Sequence, residues 1–445
     1  MALVSAPPKF DVADIFRRHK ASFAKAFPMH PRQWKVLQNI INCRTAVLGG
    51  HVARCDRCGA VDYSYHSCRD RHCPKCQGLA RKRWLSARLA ELLPVPYFHV
   101  IFTMPNTLAE LALQNKWVLY DILFKASGEA LCSIAEDPKH LGAEIGFVGI
   151  LHSWGQALSH HPHIHYIVPG GGLSLDGQRW IPTRKNFLLS VRVLSLKFRT
   201  LFLGALRTAF TNGHLQFYGK LKHLEKREVF ESWLNSTRAT QWVVHSKTSG
   251  GGPETTLRYL ARYAYRVAIS NHRIQSITDK SVTFEYKNYR TGEYDLLMTL
   301  HPHEFMRRFL LHVLPEGFVR IRYGGFLAPR HRTDKLALCR TLLEQQQPTA
   351  SLSQLAAVPP NAPPTGRTLE TLSDPLLPDA RVPEPPPQKQ SKKPRIGDIV
   401  GTCPICNQGH SVIVEVFPSE LPPSARRRRK RTRPPPSTLI WELAS

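Results

Sequence analysis

Acidic side chains are scarce in this chain. Aspartate and glutamate total 33 against 61 lysines and arginines, a formal charge of +28, which points to a polyanionic partner, nucleic acid ahead of a membrane surface. The run RRRRKRTR at 426–433 holds seven of those charges, so +21 remains without it and the body itself is basic. No apolar run reaches spanning length, and MALVSAPPKF holds no signal-peptide core, so a soluble, cytoplasmic chain is expected. A disulfide framework is also missing: six of the ten cysteines fall into three short CxxC pairs instead. At 445 residues the chain is long enough for two or three domains with at least one sizeable core.

Two knuckles, Cys55-Asp-Arg-Cys58 and Cys73-Pro-Lys-Cys76, are separated by 14 residues. Each sets two thiolates along one edge of a tetrahedron, so the pair predicts one structural Zn2+ held by Cys55, Cys58, Cys73 and Cys76. Cys68 and His72 are candidates to replace one of the four, Cys43 and His66 also lie close by, and a second ion is the other reading of so many ligands. A third knuckle, Cys403-Pro-Ile-Cys406, with His410 behind it, offers half a ligand set.

Apolar spacing predicts helices within 9–50, over 79–89, 107–135, 186–211 and 255–268. Strands are expected at 97–104, 145–151, 163–168, 282–286 and 318–322, the second and third as a hairpin. Strands mixed with helices, without strict βαβ alternation, read as α+β with a mostly antiparallel sheet. Twelve prolines among residues 348–400 predict a disordered linker. The expected domains are 1–94, helical and zinc-binding; 95–332, catalytic; 333–400, a helix remnant and linker; and 401–445, a CxxC segment with a basic tail.

In HHPHIHYIVPGGG, residues 160–172, His161, His163 and His165 alternate, so they share one strand face and two imidazoles can chelate a cation. Downstream, LRYLARYAYRVAISNHRI at 257–274 sets Tyr259 and Tyr263 four apart on a helix, beside a stripe of Arg258, Arg262 and Arg266. A tyrosine hydroxyl can attack a phosphodiester, with a divalent cation and arginines offsetting the developing charge. Two tyrosines allow two linked steps.

With these parts in place, the sequence resembles the two-tyrosine rolling-circle transposases of bacterial insertion sequences, the IS91 group of the HUH endonucleases. The likeness covers about residues 10–332 through CRTAVLGGHVARCDRCG, SCRDRHCPKCQ, YFHVIFTMPN, DPKHLGAEIGFVGILHSWGQ, HHPHIHYIVPGGG, RYLARYAYRVAISNHRI and FLLHVLPEGFVRIRYGGFLA. The resemblance implies a ferredoxin-like antiparallel sheet in the nuclease domain. It implies Mg2+ or Mn2+ on His163 and His165, with Gln156 or His161 as a third ligand, and Tyr259 and Tyr263 as nucleophiles. A zinc module that docks DNA, nicking of single-stranded element ends through a 5′-phosphotyrosine, transfer to a target and association with the nucleoid follow from it too. Lys247, Arg320 and Arg322 join the arginine stripe as candidate DNA contacts. Tyr265 stands where many relatives carry histidine. A plasmid or phage replication initiator, a relaxase, or a non-catalytic zinc-dependent DNA-binding protein are the rival readings.

Overall fold

The computed structural model describes residues 8–248, 254–255, 265, 267–288, 291–346 and 394–421. Residues 348–393 of the expected proline-rich linker, the arginine-rich run at 426–433, and Arg258, Tyr259, Arg262, Tyr263 and Arg266 lie outside the described residues; the last seven residues expected in the linker, 394–400, are described and run into a strand at Ile399–Thr402.

The chain opens with helices α1 (Val12–Ala26) and α2 (Pro31–Asn42), then strands β1 (Gly50–Cys55) and β2 (Val61–Tyr65) and helix α3 (Gln77–Leu89). A capping box starts α1: Asp14 N donates to Asp11 Oδ1 at 3.0 Å and Asp11 N to Asp14 Oδ2 at 2.9 Å. Pro31 sits in the first turn of α2, where its missing N–H costs nothing. Next come β3 (Tyr97–Thr103), α4 (Ala109–Gln114), α5 (Lys116–Glu136), β4 (Ala143–Glu144), β5 (Gly146–Trp154), β6 (His160–Pro169), β7 (Gly171–Ser174), β8 (Trp180–Pro182), α6 (Val191–Thr211), α7 (Arg227–Ala239) and β9 (Val243–Thr248). The remainder holds β10 (Ile274–Ile277), β11 (Val282–Asn288), β12 (Glu293–Leu300), α8 (Pro302–Leu311), β13 (Ile321–Gly325), α9 (Arg332–Gln346), β14 (Ile399–Thr402) and β15 (His410–Phe417).

The central sheet runs β13-β5-β6-β3-β9, with every neighbour antiparallel. Without its edge strand β13, it is a βαββαβ succession in which the first-formed strand, β3, lies between the third and the fourth. That is the split βαβ pattern of ferredoxin-like sheets. Alternation gives the two faces different work. Phe98, Val100, Phe102, Ile164, Tyr166 and Val168 point to one side and bury against Leu119, Tyr120 and Leu123 of α5 and Phe198 and Phe202 of α6. Phe102 meets the Tyr166 and Phe198 rings edge-on at 5.7 and 5.1 Å. Gly149 makes room on this face: a Cβ there would lie 2.6 Å from the Tyr166 ring. The opposite face carries His152, His163, His165 and His99, with Val148, Ile150 and Ile167 farther along it under Trp84 of α3 and Leu336 of α9.

The N-terminal helices do not stand apart. α1 and α2 share a core with β10–β12 and α8, where Phe16 meets Phe309 edge-on at 5.3 Å. The strand expected at 318–322 begins three residues later. Phe318 turns inward instead, its ring 5.5 Å from Trp117 and 5.9 Å from Tyr120. A second sheet runs β14-β15-β1-β2, so residues 399–417 pair with the N-terminal hairpin instead of forming a separate tail module.

Candidate functional site

The hairpin β5–β6 builds the histidine centre. Its register sets His152 opposite His163, and alternation adds His165 on the same face. The ring centroids lie 5.5 Å apart for His152–His163, 4.6 Å for His152–His165 and 4.8 Å for His163–His165. One donor nitrogen from each of the three falls within 4.8 Å of the others, a spacing that a single cation can bridge. Two of the three rings have a nitrogen already committed. His163 Nδ1 donates to the His161 carbonyl at 2.7 Å, which leaves the lone pair on Nε2. His165 Nδ1 lies 2.7 Å from His99 Nε2, and the two rings stack at 5.0 Å. The His152 ring stacks on Trp154 at 4.7 Å.

Burial pushes His163 down to about 4. His99 is also pushed down to about 4, by burial and then by the Lys247 charge. The His163 ring is therefore neutral near pH 7, the state in which imidazole ligates metal. Lys247, directly opposite His99 on β9 and exposed, adds positive charge to this face.

The third imidazole is His152, which sequence reasoning did not single out. His161, an expected candidate, is outside the cluster, and its contribution is the carbonyl that orients His163. Gln156 sits in the β5–β6 turn, where its carbonyl accepts from Arg273 at 2.7 Å. The signal for His152 was the hairpin itself: carrying its pairing one rung past residue 151 reaches the histidine.

The cysteines group differently from the expected set. Cys73 and Cys76 meet Cys43 and Cys68, while Cys55 and Cys58 meet Cys403 and Cys406; within each group the sulfurs lie within 4.8 Å of one another. The single ligand set of Cys55, Cys58, Cys73 and Cys76 is thus corrected, because β1 pairs with β15 and carries the first knuckle to the third. In the first group Cys43 Sγ and Cys68 Sγ lie 3.3 and 3.5 Å from Cys76 Sγ. Hydrogen bonds from Cys43 and Cys68 hold the Cys76 thiol far below its ordinary range, so the cluster already favours thiolate there. His72 is not among the ligands. Its Nδ1 bonds Asp70 Oδ1 at 2.9 Å and its Nε2 accepts from Leu314 N at 3.1 Å, tying the cysteine loop to the chain after α8.

The expected DNA contacts separate too. Arg322 is held by Asp121 at 2.7 Å and lies 4.3 Å from the Phe124 ring, on the face packed against α5. Arg320 is buried, its guanidinium 5.8 Å from the Tyr265 ring. Burial brings Arg320 down to about 10. Both placements tie these side chains into packing, whereas Lys247 is exposed. Tyr265 also touches Trp84 at 6.3 Å and packs with the apolar residues of the histidine face.

Among the described residues, no helix is long and apolar enough to cross a membrane. Residues 146–335 match the family model described as "Putative transposase", and residues 15–104 match the model described as "Transposase zinc-binding domain". A protein of Sinorhizobium fredii named "Putative transposase y4qJ" is 47% identical over 408 residues, 92% of this chain and 95% of its own. The transposase for insertion sequence element IS801 of Pseudomonas savastanoi pv. phaseolicola is 30% identical over 302 residues, 66% of this chain and 70% of its own. No solved structure matches the chain. The coverage of the first relative and the placement of both matched regions leave one conclusion: the chain belongs to the IS91 family of transposases, with that family's zinc-binding domain at its N-terminal end.

Proposed function

We propose that this transposase nicks single-stranded DNA at the ends of its element through a 5′-phosphotyrosine and passes the strand to a target, the rolling-circle route. The observation that carries the reading is the convergence of His152, His163 and His165 on the sheet face opposite the helices. Tyr265, two residues after Tyr263 and six after Tyr259, packs on that same face, which favours a nucleophile segment near the histidines. The donor set is all imidazole, which fits Mn2+ and its neighbours in the transition series better than Mg2+, whose preference is for oxygen. A divalent cation held there supplies Lewis acidity at a phosphate oxygen.

The chain's own residues do the rest. The Tyr259 or Tyr263 phenol, only about a thousandth ionised at pH 7 with an ordinary pKa near 10, attacks phosphorus as phenolate. The new O–P bond forms as the bond to the 3′ oxygen breaks, and that oxygen leaves and takes up a proton. The second tyrosine serves the rejoining step. Arg258, Arg262 and Arg266 offset charge on the phosphate, Lys247 draws the strand across the histidine face, and the N-terminal zinc domain, with Cys43, Cys68, Cys73 and Cys76 as its ligands, docks DNA.

The test is an oligonucleotide carrying an element end, incubated with the full chain and Mn2+. A covalent adduct resistant to denaturation is expected, and Tyr259→Phe combined with Tyr263→Phe removes it while DNA binding persists. An adduct that survives in the double variant would transfer the nucleophile role to another residue.

A further inference from the structure

We propose that Cys55, Cys58, Cys403 and Cys406 bind a second Zn2+ that fastens the C-terminal segment onto the N-terminal module. The four sulfurs gather from positions up to 351 residues apart. Cys55 Sγ lies 3.7 Å from Cys406 Sγ, and Cys58 Sγ lies 3.7 Å from Cys403 Sγ. A tetrahedron of Zn–S bonds of about 2.3 Å separates its sulfurs by about 3.8 Å. Sulfurs bonded as disulfides would instead lie about 2.0 Å apart.

The two knuckles have the same backbone. In one, Arg57 N and Cys58 N point at Cys55 Sγ, each at 3.4 Å, and Gly59, at φ +70°, closes the turn by donating to the Cys55 carbonyl. In the other, Ile405 N points at Cys403 Sγ at 3.4 Å, and Asn407, at φ +52°, donates to the Cys403 carbonyl. Gly409 N adds a fourth such contact, 3.3 Å from Cys406 Sγ. Amide groups aimed at sulfur stabilise thiolate, the form that ligates metal. Two turns of one geometry, facing each other through their sulfurs, are built for a shared ion; a pair of unrelated surface thiols has no reason to repeat the left-handed residue at the same position.

The surroundings show what the ion would lock. His410 N donates to Asp56 Oδ1 at 2.8 Å and Asp56 N to the His410 carbonyl at 3.0 Å, joining the knuckles directly. A Cβ on Gly409 would lie 2.5 Å from Cys55 Sγ, so only glycine permits this approach. From there β15 runs beside β1 from Ser411 to Phe417, and Ser419 Oγ and Glu420 N both donate to the Val47 carbonyl. The RRRRKRTR run begins five residues after Leu421, a reach of no more than about 18 Å. The clasp therefore anchors the chain within that reach of the residue where the run of seven positive charges begins.

The experiment uses the full chain. Titration of the metal-free protein with Co2+ is expected to fill two sites with the thiolate-to-metal absorption of tetrahedral thiolate coordination, an absorption that an ion on the three histidines does not give, and the zinc form should release two ions when its thiols are blocked with a mercurial. Cys403→Ser with Cys406→Ser should reduce both counts to one. In a second form carrying a protease site within 347–393, the cut C-terminal piece should co-elute with the body when zinc is bound and separate when the four thiols are stripped of metal. One thiolate-bound equivalent in the unaltered chain, or two in the double variant, overturns the proposal. So does a disulfide between the knuckles in the reduced, freshly purified protein.

Discussion

His99 and His165 face each other across β3 and β6, Nε2 to Nδ1 at 2.7 Å, with their planes only 11° apart. The contact orients the His165 ring and engages its Nδ1. Partners of this kind change metal affinity about 10–100-fold when removed. His99→Ala should therefore raise the Mn2+ concentration needed for half-maximal nicking by about that factor, with most activity recovered at saturating Mn2+. His152→Ala removes a donor outright, and excess metal should not rescue it. Equal behaviour of the two variants would mean that His152 is not a ligand.

Lys247 and Arg322 separate DNA contact from packing. Exposed Lys247 should contribute to the salt dependence of single-strand binding, where each phosphate contact adds about 0.7 to the slope of log K against log salt. Lys247→Ala should lower the slope by about that amount and leave the melting temperature in place. Arg322→Ala, which strips Asp121 of its partner and uncovers Phe124, should lower thermal stability by about 1 kcal/mol and leave the slope unchanged. Salt titrations of both variants decide the matter.

These two cases also show where the sequence was legible. Alternation in 160–168 reported a strand and a shared face truthfully, because a period of two is a local property of the chain. The partner of each strand is not local. His152 joins the site through hairpin register, and Cys403 and Cys406 through pairing across about 350 residues, so nearness in sequence wrongly coupled the first two knuckles. Arg320 and Arg322 carry the same charge as any surface arginine, and nothing in their spacing reveals that one is buried and the other held by Asp121.

The pH response follows from two buried imidazoles outside the three-histidine cluster. His312 bonds the Leu158 carbonyl at 3.1 Å and Ser153 Oγ at 3.2 Å, and burial pushes it down to about 3. His160, bonded to Tyr120 at 2.8 Å, is pushed well below its usual value, again by burial. Both rings are neutral when folded and gain protons near 6.5 when unfolded. Stability is therefore full above about pH 6.5 and falls as pH drops toward 3. Melting temperatures should decrease steadily from pH 7 to pH 5 in metal-free buffer, and less steeply in His312→Gln. A flat profile would contradict the neutral burial.

Gly325 closes β13 at φ +56°, and a Cβ there would lie 1.6 Å from the Ile145 carbonyl oxygen. Gly325→Ala should cost about 3 kcal/mol or more, from a clash with backbone that cannot turn aside together with left-handed strain. Denaturant unfolding measures the loss; a shift under about 1 kcal/mol would mean that the edge strand can slide.

The pairing of β15 with β1 also sets an order on synthesis. The N-terminal sheet is completed only by residues 399–417, so a nascent chain presents β1 as an open edge until those residues have been made. Messages broken before codon 403 yield polypeptides with both tyrosines and all three site histidines but an unfinished N-terminal sheet. Such an arrangement confines the completed N-terminal sheet to molecules translated through residue 417.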